Sequence, residues 1–75
     1  MDTSKLKSKM IYNKVKLPKL LELLNEKGIV ISKSSYYKRM RGEVEFSLTE
    51  IRAISEILEL TPEDIMDIFF DHKVS

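Results

Sequence analysis

The chain is divided into short segments by residues that begin and end helices. The stretch "SLTE" at 47–50 has the Ser-x-x-Glu pattern of a capping box. Thr61 stands before Pro62, as an N-cap stands before a proline that opens a helix. Gly28 and Gly42 follow helical patterns at places where a left-handed residue commonly ends a helix. This pattern predicts an all-α fold of five short helices joined by short loops.

The predicted helices cover most of the chain, as one domain over 1–75 with flexible ends at about 1–3 and 71–75. They lie at about 4–12, in "KLPKLLELLNEKG", at 33–41, and after the caps Ser47 and Thr61. The apolar residues expected inside the first, second and fourth helices are Leu6, Met10 and Ile11; Leu20, Leu21, Leu23 and Leu24; and Leu48, Ile51, Ile54, Ile57 and Leu58.

Composition excludes several classes of protein. The 75 residues include no Cys and one His, so disulfides and Cys/His zinc sites are not expected. No apolar run approaches the roughly 20 residues of a membrane span, and no apolar stretch follows the first lysines as in a signal peptide. We expect a soluble, unprocessed, cytoplasmic protein without a cofactor, a metal or a small-molecule substrate.

The net charge of +1 hides a strong asymmetry between the two halves of the chain. Residues 1–42 carry eleven Lys or Arg and three acidic residues, a formal charge of +8. Residues 43–75 carry two basic and nine acidic residues, a formal charge of −7. The asymmetry indicates a basic face for a polyanion, although solvated helix faces would give the same count.

The basic segment "ISKSSYYKRMRGE" at 31–43 is predicted to be one short, exposed helix. Ser32 is its expected N-cap, and Tyr36 and Met40, four residues apart, would face the core. No acid occurs before Glu43, whereas a helix built for solubility usually alternates Glu with Lys. Such a helix suits the major groove of DNA, where phosphates attract cations and side chains read base edges. RNA or a membrane surface would also attract this charge, but neither partner is expected, because the segment lacks the large apolar face that membrane insertion needs and has fewer aromatic residues than single-strand RNA recognition normally uses.

The order of these segments resembles the helix-turn-helix domains of the Cro and phage-repressor (XRE-type) family. Within it, "SKSSYYKRMRGEVEFSLTEIRAIS" followed by "TPEDIMDIFF" is similar to small regulators of phages that infect Gram-positive bacteria. The resemblance covers about 17–70. It implies a bacterial, phage-encoded or prophage-encoded regulator that binds double-stranded operator DNA through a recognition helix at 33–41.

The resemblance also assigns DNA-binding roles to individual residues. It places Tyr36 in the position that the family fills with a buried aliphatic residue. The base-reading positions correspond to Lys33, Ser34 and Lys38, with Ser32 at the edge and the small Ser35 in the same segment. The expected phosphate contacts are Tyr37 and Arg41, with Lys16 or Lys19 at the start of the preceding helix.

One departure from the family is the stretch "NEKGIVIS", where a tighter turn is usual between the two DNA-facing helices. One interpretation is a lengthened loop, with the first thirteen residues forming the first helix. The other is that "LPKLLELLNEKG" is the family's first helix and that the second is missing. We favour the first.

The C-terminal "DIMDIFF" contains more apolar surface than a small core easily hides. Its residues either close the core or form a dimer or partner interface, with Ile65, Met66, Phe69 and Phe70 as candidates. An alternative function follows, namely an antirepressor-like or antitoxin-like module that binds a protein through its acidic, apolar C-terminal half. The sequence has no catalytic triad, phosphate-binding glycine loop or metal cluster, so no enzymatic activity is expected. His72 is expected to be passive.

Overall fold

The computed structural model describes residues 1–70 and contains five helices. They are α1 (Thr3–Tyr12), α2 (Leu17–Glu26), α3 (Lys33–Met40), α4 (Leu48–Ile57) and α5 (Pro62–Phe69). Within 1–70 no strand is present, and the all-α prediction is confirmed. His72 and the tail expected to be flexible at 71–75 lie outside the described residues. None of the helices in 1–70 is long and apolar enough to cross a membrane.

Four of the five helices begin with a side-chain cap. Ser32, Ser47 and Thr61 each accept a hydrogen bond from the backbone N–H three residues later, as the sequence predicts. Asp2 does the same for α1, and its own N–H donates to the carbonyl of Ile68 at 2.9 Å. The exception is α2, whose N-cap Lys16 makes no side-chain capping bond.

Glycines end the two helices at which the sequence predicts them. Gly28 follows α2 with a φ of +84°, and Gly42 follows α3 with a φ of +81°. An L residue with a side chain adopts this left-handed conformation only at a cost, so both positions favour glycine. Lys14 and Glu59, at φ 57° and 52°, make similar turns without one.

The core is built from α1, α2, α4 and α5, with a smaller share from α3. Met40 packs at the edge of this core, as predicted, and Leu21 and Leu23 are half-buried. The largest fully buried side chains are Leu6, Leu20, Leu24, Ile54, Leu58 and Ile68.

Two residues expected in the core are exposed. Ile11 is 77% exposed, because Leu6 and Met10 turn the core face of α1 toward α5 and leave Ile11 on the far flank. Leu48 is 75% exposed, because it is the first residue of α4 and helical side chains tilt toward the N-terminus, here past the end of the helix.

Asp64 joins α1 to α5. Its carboxylate lies 3.3 Å from Lys5 Nζ and 3.1 Å from Lys9 Nζ, and it accepts the N–H of Thr61 at 3.0 Å. The bond from the Thr61 backbone, together with the two ammonium groups, outweighs burial and holds the pKa of Asp64 well below its usual range. Asp67 adds a more exposed bond to Lys5 Nζ at 2.6 Å.

We expect Asp64→Asn to lower the melting temperature by roughly 5 °C or more at pH 7, because asparagine keeps an acceptor oxygen but loses the charge. A carboxylate with a lowered folded-state pKa stabilises the protein above about pH 4, and that stabilisation is lost as the pH falls further. Thermal unfolding followed by circular dichroism should therefore show the two proteins converging in acid. Asp67→Asn is the matched control and should cause a smaller fall. An unchanged melting temperature for Asp64→Asn at pH 7 would refute this role.

Candidate nucleic-acid interface

The exposed surface of α3 carries most of the predicted DNA-binding side chains. Ser32, Lys33, Ser34 and Lys38 are all exposed, and α3 itself contains no acidic residue. Within residues 1–70 no carboxylate lies within 4 Å of the ammonium groups of Lys33 and Lys38. Both cations can therefore bind an external anion without breaking an ion pair.

Tyr36 attaches α3 to the core. It is 3% exposed, its hydroxyl donates toward Met10 Sδ at 3.7 Å, and its ring meets that of Phe46 edge to face at 6.2 Å. Burial, and then the neighbouring Tyr37, raise the pKa of Tyr36 to about 12, so the hydroxyl stays neutral at physiological pH. Tyr37 is 43% exposed. The prediction that Tyr36 faces the core is confirmed, and its neighbour Tyr37 lies partly outside.

Arg39 fixes α3 against the start of α4. Its Nε and Nη2 donate to the two carboxylate oxygens of Glu50 at 3.0 and 3.1 Å, a bidentate pair. Its Nη1 donates to the backbone oxygen and the hydroxyl of Ser35 at 3.0 and 2.6 Å. Glu50 also accepts the N–H of Ser47 at 2.9 Å. Burial raises the pKa of Glu50, but the bonds from Arg39 and Ser47 outweigh it and lower that pKa overall.

Sequence reasoning left Arg39 without a role. One feature of the sequence pointed to such a pair. The capping box fixes the side chain of Glu50 but needs only one of its carboxylate oxygens, so the other can accept from a cation. Nothing in the spacing of the two residues indicates that the loop between α3 and α4 brings them together. Ser35, predicted among the DNA-binding residues, is half-buried and its hydroxyl already accepts from Arg39.

Two other predicted cations have carboxylate partners. Arg41, the C-cap of α3, donates to Glu43, and this bond raises the pKa of Arg41 and lowers that of Glu43. Lys19 Nζ lies 3.6 Å from Glu22 on the same helix. All four side chains are more than half exposed, so these pairs are weak and can exchange for another anion.

The start of α2 presents cations and backbone N–H groups without a side-chain cap. Lys16 is exposed at its N-cap position, and Lys14 is exposed in the preceding turn. The structure also places Lys7 in a hollow that Tyr37 and Arg41 help to line. The sequence analysis assigned no role to Lys7 or Lys14, because their position beside α2 and α3 follows from how α1 packs.

The loop between α2 and α3 spans 27–32. Ile31 is buried and Ile29 packs against the core, while Val30 is 84% exposed. Because Thr3–Tyr12 forms α1, the lengthened-loop interpretation is correct and all five helices are present.

The predicted partner or dimer surface on α5 is largely drawn into the fold. Ile65, Phe69 and Phe70 are half-buried, and Phe69 meets Phe46 edge to face at 5.5 Å. Met66 is 52% exposed. Most of this apolar surface therefore closes the core, and Met66 is left outside.

The fold and the basic third helix define a helix-turn-helix DNA-binding domain. The sequence matches the family model described as the Cro/C1-type HTH DNA-binding domain over residues 5–71, and the chain belongs to that family. Comparison with curated proteins and with solved structures gave no match. The family resemblance predicted from the sequence is confirmed, and the chain contains a DNA-binding domain of a class that regulates transcription.

We expect Glu50→Gln to destabilise the protein by about 1–2 kcal/mol, because the amide leaves the Arg39 guanidinium half-buried without its counter-charge. Urea unfolding measures this loss. Glu43→Gln removes a carboxylate from the exposed pair with Arg41 and should leave the urea midpoint unchanged. Equal midpoints for both variants would contradict a structural role for the Arg39–Glu50 pair.

Proposed function

We propose that this chain is a sequence-specific transcriptional regulator of the Cro or repressor type that binds operator DNA through α3. The observation that carries the proposal is that Lys33 and Lys38 are exposed and unpaired. They lie on a helix without acidic residues, and no carboxylate of residues 1–70 is within 4 Å of either ammonium group. On such a helix, exposed lysines can neutralise phosphates and donate hydrogen bonds to base edges in the major groove.

Base reading is assigned to the exposed N-terminal part of α3. Lys33 and Lys38 would donate to guanine O6 and N7, the base atoms that lysine most often contacts. Ser34 and Ser32 would reach either donors or acceptors at closer range. Ser35 contributes by its small size, because its hydroxyl is held by Arg39.

Phosphate contacts are assigned to the residues on either side of the reading surface. Lys16 and Lys19 would bind a phosphate at the start of α2, where free N–H groups and the helix dipole add to their charge. Tyr37 and Arg41 would bind a phosphate near the end of α3. Arg41 would exchange Glu43 for the phosphate, at little cost because the pair is exposed.

The regulator would act by occupying its operator and so blocking or redirecting transcription in the cytoplasm of a bacterial cell, and phage or prophage origin belongs to the same proposal. Members of this family are typically not enzymes. The mechanism needs no cofactor and no catalytic step.

A second candidate function is favoured by the surface of α5. Met66 is half exposed between Glu63 and Asp67, which gives an acidic surface with an apolar centre. Such a surface fits an antirepressor-like or antitoxin-like module that binds a protein partner. DNA contact would then be secondary.

Binding should be specific and strongly dependent on salt. The protein would first select duplexes from a random library, and fluorescence anisotropy would then compare the selected DNA with a scrambled duplex. We expect the selected DNA to bind about a thousandfold tighter, with a log–log salt slope of roughly −0.9 per neutralised phosphate. Weak and equal binding to both duplexes would contradict the proposal and favour the protein-interaction function.

Reading residues and phosphate residues should respond differently to truncation. Lys33→Ala and Lys38→Ala should each reduce discrimination between selected and scrambled DNA by about 1–3 kcal/mol. Lys19→Ala should weaken binding to both duplexes alike and reduce the salt slope by about one. If all three variants lose the same affinity for selected and for scrambled DNA, Lys33 and Lys38 do not read bases.

A further inference from the structure

An apolar groove with a basic rim lies where α1 meets α2, and we call it the α1–α2 groove. Its volume is about 560 Å³. Its apolar lining includes Val15 and Leu17, which also pack against the core, and Ile11, which is 77% exposed. The remaining polar rim is formed by three lysines, Lys7, Lys14 and Lys16.

The three rim lysines lack partners within the described part of the chain. No carboxylate of residues 1–70 lies within 4 Å of Lys7, Lys14 or Lys16, whereas Lys5 and Lys9, on the opposite flank of α1, are both paired. A phosphate held by Lys16 at the start of α2 would leave Lys7, Lys14 and the apolar lining without a ligand. The groove therefore suits an apolar side chain flanked by carboxylates.

The outer surface of α5 and the turn before it have this chemistry. Glu63 and Met66 are three residues apart on α5, Glu59 lies in the turn that precedes the helix, and all three are exposed. No Lys or Arg occurs between residues 53 and 70. We call Glu59, Glu63 and Met66 the α5 ridge.

One α1–α5 contact of the same chemistry already exists within the chain. Lys5 and Lys9 on one flank of α1 bind Asp64 of α5 at 3.3 and 3.1 Å. Lys7 and Ile11 lie on the other flank of α1, about half a helical turn away, so the chain's own α5 does not reach them.

We propose that the α1–α2 groove of one copy binds the α5 ridge of a second copy, with Met66 between the walls of the groove and Glu59 and Glu63 beside the rim lysines. The contact joins two different surfaces, so it is head to tail: one copy keeps a free ridge and the other a free groove. It does not depend on the proposed function, because it requires no DNA and its test changes Lys7 and Lys14, to which no DNA contact is assigned; Lys16 alone is common to the groove and the proposed phosphate site.

The contact is weak by its size. A groove of this kind, one turn of helix and the loop before it bury much less than the roughly 800 Å² per partner of a stable interface, on a structure whose accessible surface is 5286 Å². Opposite charges around an apolar centre also make it sensitive to salt. It should be detectable at high protein concentration and low ionic strength, and it gains strength wherever copies are held side by side.

Sedimentation velocity at high concentration and low salt, without DNA, tests the proposal with two charge-reversed variants of exposed residues. The groove variant is Lys7→Glu with Lys14→Glu, and the ridge variant is Glu59→Lys with Glu63→Lys. Each alone should associate at least about tenfold more weakly than the unmodified chain, because the surfaces then carry like charge. An equimolar mixture of the two should associate again, since the intact ridge of one faces the intact groove of the other.

Lys33→Glu with Lys38→Glu makes, on α3, the same change of net charge as the groove variant and should leave association unaltered. Circular dichroism confirms that each variant is folded. The absence of association by the unmodified chain, loss in only one of the two variants, or a mixture that fails to associate would each overturn the proposal.

Discussion

The position of the exposed face of α3 depends on the packing of one buried residue, Tyr36. A helix of eight residues is too short to be stable alone in water, and Tyr36 is the one buried residue of α3. Its ring contacts Phe46, which in turn contacts Phe69, so a run of edge-to-face aromatic pairs connects α3 to α5. The bidentate pair between Arg39 and Glu50 adds a second attachment, which fixes the rotation of α3 about that anchor. With the inner face occupied in this way, only the outer face of α3 is available to a ligand.

Carboxylates divide the basic residues of the chain into structural and available groups. Lys5, Lys9 and Arg39 hold helices together, and their charge is already satisfied. Lys33 and Lys38 lie on the exposed face of α3 with no carboxylate of residues 1–70 within 4 Å, and the rim lysines of the α1–α2 groove are likewise unpaired there, beside α1 and the start of α2. The formal charge of residues 1–42 is therefore larger than the positive charge that any one ligand can contact. The net charge of each half of the chain indicates that a basic surface exists. Only the ion pairs of the individual side chains show where that surface lies.

Local signals predicted the fold well, and contacts between distant residues account for what was missed. Helix caps and stops could be predicted because each depends only on residues a few positions away in the chain. They are the caps Ser32, Ser47 and Thr61 and the stops Gly28 and Gly42. The exposure of Ile11 and the partners of Arg39 depend on how one helix packs on another. The apolar periodicity of a single segment carries no information about that packing. The DNA-binding roles rest on the family resemblance, while exposure and pairing now separate Lys38, which is available, from Ser35, whose hydroxyl is engaged.

On the proposed function, the missing side-chain cap of α2 would couple folding to ligand binding. Every other helix in residues 1–70 satisfies a first-turn N–H with its own cap, whereas in α2 Pro18 has no N–H and the N–H groups of Leu17 and Lys19 have no side-chain cap. On the proposed function a DNA phosphate takes that place and completes the helix. By linkage, the free energy of that bond then adds to the stability of the domain whenever DNA is present. The protein would thus reach its full rigidity only on its target, and the order of the first turn of α2 would report whether the site is occupied.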